Sequence, residues 1–178
     1  MNQFKANILP ALCMVILLSI TAPIYAQKDK SNRPSPPRQV SEKVDGVKVT
    51  IDYSSPGVKG RTIFGGLESF DKVWRAGANE ATWIEVSDTV MVNGEKLPEG
   101  KYSFFIIPRD GSDWTIIFNS TWDQWGAYNY DEEMDVLRVD VTPEEINHTE
   151  RLEYTIDKDG TIAMNWSTVS VPFSISKK

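Results

Sequence analysis

From residue 47 onward the apolar positions recur with a period of two. Val47, Val49, Ile51 and Tyr53 alternate with Lys48, Thr50 and Asp52, the pattern of a strand with one face in a core and the other in water. Short runs of strand character follow at 82–86, 89–92, 95–97, 101–107, 114–118, 136–141, 151–156, 161–166 and 169–175. The run 101–107, Lys-Tyr-Ser-Phe-Phe-Ile-Ile, is largely apolar and predicts burial on both faces. Between the runs stand Ser54-Ser55-Pro56-Gly57, Asn93-Gly94, Leu97-Pro98-Glu99-Gly100 and Asp159-Gly160. Asn-Gly is the strongest short hairpin signal, because both residues tolerate positive φ. Helical periodicity is absent apart from Thr142-Pro143-Glu144-Glu145-Ile146, where a threonine cap and a proline at the first position predict one helical turn. About nine short strands with this punctuation predict an all-β, antiparallel β-sandwich or jelly-roll-like domain over residues 40–178.

The first 39 residues do not follow the pattern. Lys5, an apolar run over 8–20 and the small residues before Gln27 read as a secretory signal, cut after Ala26 with Ala22 as a second site. The run is short for a membrane span, so no stable span is expected after cleavage. Cys13 is the sole cysteine and lies in this segment, which leaves a mature chain suited to an oxidising compartment without a disulfide. Residues 27–39 carry Pro34, Pro36 and Pro37 among polar residues and predict an extended linker. These readings place the protein in the periplasm or outside the cell.

Composition narrows the partners. Nineteen basic against twenty-five acidic residues give a net charge of -6, and an acidic surface repels phosphate backbones, so nucleic acid is excluded. Six Trp, six Tyr and seven Phe suit the pleated, half-buried surfaces of strands.

Two stretches carry candidate chemistry. Residues 73–82, Val-Trp-Arg-Ala-Gly-Ala-Asn-Glu-Ala-Thr, set Trp74, Arg75, Asn79 and Glu80 among small residues. Gly77 suits a turn that passes close to another strand or takes positive φ, Arg75 is placed to pair with Glu80, and Asn79 to bond backbone. Residues 119–130 interleave Trp122, Trp125, Tyr128 and Tyr130 with Asp123 and Gln124. Such a loop either folds its rings inward as a cap or presents them to a ligand, a carbohydrate above all, with ring faces on apolar patches and amides or carboxylates on hydroxyls. Arg61, Arg75 and Arg138 are embedded among apolar or small residues. Each is expected to pair with a carboxylate such as Glu80 or Asp135, the alternative being convergence on an anionic ligand.

Gly60-Arg61-Thr62-Ile63-Phe64-Gly65, the 73–82 run, Leu97-Pro98-Glu99-Gly100-Lys101-Tyr102-Ser103, Trp125-Gly126-Ala127-Tyr128 and Asp135-Val136-Leu137-Arg138-Val139 resemble the domain of unknown function 2911 family. The resemblance implies a single-domain protein exported mainly by Bacteroidota and related bacteria, and brings no catalytic residues with it.

Catalysis has little support in the residues themselves. His148 is the single histidine, in a polar run without a nucleophile elbow. One histidine and no mature cysteine disfavour zinc, and the carboxylates at 131–135 and at Asp157 and Asp159 lack calcium-loop spacing. No metal or cofactor is therefore expected. The glycines at 60, 65 and 66 lack the Gly-Lys-Ser/Thr ending of a nucleotide loop. The favoured reading is a ligand-binding module using Arg75, Asn79, Glu80, Trp122, Asp123, Gln124, Trp125 and Tyr128, with Arg61, Trp74, Gly77 and Arg138 architectural. The alternatives are a hydrolase drawing a carboxylate pair from Glu80, Asp123 or Asp131, and an envelope scaffold without a small-molecule site.

Overall fold

The computed structural model describes residues 30–178; the signal reading of residues 1–26, with Cys13, lies outside the described residues. Among the described residues, ten strands form two antiparallel sheets. They are β1 (Pro37–Val44), β2 (Val47–Ser54), β3 (Trp83–Val86), β4 (Val90–Val92), β5 (Glu95–Leu97), β6 (Gly100–Ile107), β7 (Trp114–Asn119), β8 (Asp135–Val141), β9 (Glu144–Ile156) and β10 (Thr161–Lys177). The larger sheet runs β1-β2-β3-β6-β7-β8 and the smaller β5-β4-β10-β9. The all-β sandwich read from alternation is the fold.

Alternation places the core. Inward residues of the larger sheet, Phe104 and Phe118 among them, meet Tyr154 of β9 and Phe173 of β10, with Phe104 stacked 5.5 Å from Phe173. A second cluster covers the outer face of the larger sheet, where Phe105 and Ile117 are buried beneath Val73, Ala127 and Tyr130. The two candidate stretches supply that cover, which is why β6 reads as an apolar run rather than an alternating one.

Three local expectations need correction. Strand β1 starts at Pro37, inside the segment read as linker, and residues 30–36 lie against the domain. Its apolar pattern is faint because it is a sheet edge with most of its residues in water; the legible signal was Asp45-Gly46, both at positive φ, closing the hairpin to β2. The helical turn expected at 142–146 is absent. Thr142 Oγ1 donates to Asp113 Oδ1 instead of capping, and Glu144 already pairs with Ser170, so long-range pairing overrides a local signal. The 3-10 turn sits at Glu132–Met134, capped by the Asp131 carboxylate on the Glu133 amide. The runs 161–166 and 169–175 are one strand, bent where Ser167 takes φ 57° at a register shift.

Candidate functional site

The 73–82 stretch is built around close approach. Trp74, 3% exposed, exchanges backbone hydrogen bonds with Ile106 and stacks 5.7 Å from Trp166. Its Nε1 donates to the Gly77 carbonyl. The Ala76 carbonyl accepts from Thr82 Oγ1 and from the buried Tyr154 hydroxyl, at 3.0 and 2.8 Å. Positive φ falls on Ala76 and Asn79. Gly77 is required for space: a Cβ there would lie 2.8 Å from Thr82 Oγ1 and 3.2 Å from the Ser54 carbonyl.

This turn and the aromatic loop meet. Glu80 and Trp125 form a bridge in which the Ala81 amide donates to Gln124 and the Gly126 amide to Asn79. The loop divides its rings: Tyr130 folds onto Phe105, whereas Trp122, Trp125 and Tyr128 are 41%, 53% and 84% exposed. Both the cap and the surface expected of this loop are therefore present, on different residues. Beside them lies a cleft of about 200 Å³ containing Asp52, Glu80, Trp83, Trp122, Asp123 and Gln124. Gln124 Nε2 donates to the Thr121 carbonyl, while its Oε1 is buried without a donor.

The ion pairs differ from those expected. Glu80 pairs with Lys30 and Arg33 rather than Arg75. Burial pushes the Glu80 carboxyl up, but bonds from its own amide, Lys30 and Arg33 outweigh it and hold the group below its usual range. Asp52 goes the other way, because burial outweighs the Gln39 hydrogen bond and the Lys101 charge. Arg75 keeps a buried Nε without a hydrogen bond, and its charge is felt, with that of Arg61, at Glu68. Burial wins there too and lifts that carboxyl to about 7. Arg61 donates to the Gly57 and Val58 carbonyls, not to a carboxylate. Arg138 does pair with Asp135, at 2.7 Å, and also donates to the Tyr130 hydroxyl. That hydroxyl is pushed up to about 12 by burial and the Asp135 carboxylate. The three arginines thus divide between two places and do not form one anion site. Asp131, a candidate for a carboxylate pair, is occupied at the 3-10 turn.

A larger concavity, about 660 Å³, lies at an end of the sandwich and takes Thr62, Ile63 and Phe64 from the 60–65 motif into its lining. Phe64, Phe70 and Trp114 give it aromatic walls, and Val169 extends them. Its walls are held by hydrogen bonds. Trp114 Nε1 donates to the Arg109 carbonyl, Arg109 Nη1 to the Asp113 carbonyl and Thr115 Oγ1, and Thr142 to Asp113. Phe64 meets Trp114 edge-on at 4.7 Å, and Ser167, in its left-handed conformation, forms part of the lining. Four separate stretches of chain build this groove, so no local pattern announces it.

These features define a two-sheet β-sandwich with an aromatic groove at one end and an aromatic, carboxylate-bearing face. The family model described as a protein of unknown function, DUF2911, matches residues 35–175, and the chain belongs to that family. No curated protein and no solved structure matches it.

Proposed function

We propose that this chain is an exported binding module that takes a small ligand with a flat apolar body and a polar end into the groove at the end of the sandwich. One observation carries the reading: a concavity of about 660 Å³, walled by Phe64, Phe70 and Trp114 and held open by hydrogen-bonded side chains. Small-molecule sites commonly enclose about 300–1,000 Å³, with mostly apolar walls and few polar groups. Arg109 is engaged with its neighbours, while Glu144 and Glu145 stand exposed at the rim, which favours a ligand whose polar end donates hydrogen bonds or carries positive charge. Such a groove counts against a scaffold without a small-molecule site.

The test is a titration with the neutral apolar dye Nile red. The parent binds it saturably, and Thr168→Trp, a bulky residue placed at the exposed rim, weakens binding at least about tenfold without altering the melting temperature. No binding by the parent, or equal binding by both chains, refutes the reading. Export rests on residues 1–26 acting as a cleaved signal. Intact mass of the chain recovered outside the cytoplasm then starts at Gln27, and a chain retaining Met1 contradicts it.

The exposed rings of Trp122, Trp125 and Tyr128 favour carbohydrate as a second reading. A glycan panel that binds the parent and fails with Trp125→Ala supports it; equal binding removes it. Hydrolysis is less well supported, because two cations hold Glu80 ionised and so remove it as a general acid.

A further inference from the structure

Next to the cleft, the chain lays its own N-terminal segment on Glu80 and Trp125, and Lys30 and Pro37 of that region form part of the cleft wall. Arg33 Nη1 lies 3.0 and 2.8 Å from the two Glu80 carboxylate oxygens, and its guanidinium sits 5.8 Å from the Trp125 ring centre. Lys30 reaches the same carboxylate at 3.0 Å. The next three residues are each held through a backbone carbonyl. Pro34 accepts from Arg151 Nη1, Ser35 from Asn79 Nδ2 and Pro36 from the Ser55 amide, at 3.4, 3.0 and 2.9 Å. Prolines offer acceptors and no N–H donor, so a surface that recognises a proline-bearing strand must present donors. Three separate parts of the domain do so here.

The charges match as well. Asp52, Glu80 and Asp123 line the cleft, and the domain sets Lys101 near Asp52, clasped between Trp83 and Trp122 at 3.5 and 3.9 Å. The other two cations come from residues 30–36. A carboxylate beside an open indole face is the combination that binds a guanidinium, by a forked hydrogen bond and a cation–π contact together. Lys30 and Arg33 precede the region matched by the family model, which begins at residue 35, whereas Glu80, Asn79 and Trp125 lie within it.

We infer that the surface formed by Glu80, Asn79 and Trp125 at the edge of this cleft is a receptor site for an extended peptide carrying arginine followed by proline, occupied in cis by residues 30–36. The occupant is joined directly to β1, so it competes at an effective concentration of roughly millimolar. A peptide in trans binds the parent weakly for that reason alone.

The experiment uses a fluorescently labelled peptide Lys-Ser-Asn-Arg-Pro, identical to residues 30–34, titrated by anisotropy against the full chain and against Lys30→Ala/Arg33→Ala. The double variant binds at least about tenfold tighter than the parent. Adding Glu80→Gln to it, or replacing the peptide's arginine with alanine, abolishes the gain. Arg33→Lys, which retains the charge and loses the fork, gives an affinity between the two and guards against misfolding of the double variant. Equal affinity for the parent, the double variant and Arg33→Lys, or binding indifferent to the peptide's arginine, overturns the proposal.

Discussion

Glu68 shows how one residue's surroundings decide its chemistry. Its carboxyl is driven up to about 7 by burial, with Arg75 and Arg61 opposing the shift without reversing it. The folded chain therefore holds a proton there that the unfolded chain releases near 4.5. Stability from this group is complete below about pH 4.5, declines as pH rises and is gone above about 7. Glu68→Gln removes the penalty: the variant matches the parent at pH 4 and exceeds it at pH 8 by about 1–3 kcal/mol in urea unfolding. A constant difference at both pH values would contradict the burial argument. At this scale the sequence showed the pairings of the charged residues only in part. Arg138 with Asp135, three positions apart on one strand, was legible. Glu80 with Arg33, 47 positions apart, was not, because nothing local ties a linker arginine to a distant carboxylate.

At the scale of elements, the 73–82 turn fixes how the aromatic loop sits on the larger sheet. Gly77 has no room for a methyl group between Thr82 and Ser54, so Gly77→Ala forces the turn outward. A loss of about 1–3 kcal/mol is expected, read as a lower urea midpoint. Hydrogen exchange of the Ala81 and Gly126 amides, which tie the turn to the loop, should accelerate with it. An unchanged midpoint would show that the turn yields freely. Alternation found the interior strands because each has a wet and a dry face or is dry on both. It missed β1, whose side chains are mostly in water, and misjudged 142–146, where a good local helix start is overruled by pairing of β9 with β10. The bend at Ser167 hid the continuity of β10, since a register shift interrupts the period on which the reading depends.

At the scale of the whole molecule, the aromatic face and the end groove arise on different principles. The aromatic face was legible because two short motifs, each rich in ring and polar side chains, both had to find cover, and the larger sheet's outer face supplied it. The groove at the end of the sandwich was not legible, because it is the space left between four stretches remote in sequence: the loop after β2, the β6–β7 turn, the β8–β9 junction and the bend in β10. Its claim to function is that it stays open and apolar in a fold otherwise filled with aromatic side chains. A crystallographic fragment screen tests that claim most directly. Flat aromatic fragments are predicted to collect against Phe64, Phe70 and Trp114, with their donor groups turned to Glu144 and Glu145. Fragments bound elsewhere with this groove vacant, or Phe64 and Phe70 collapsed into it, would contradict the account.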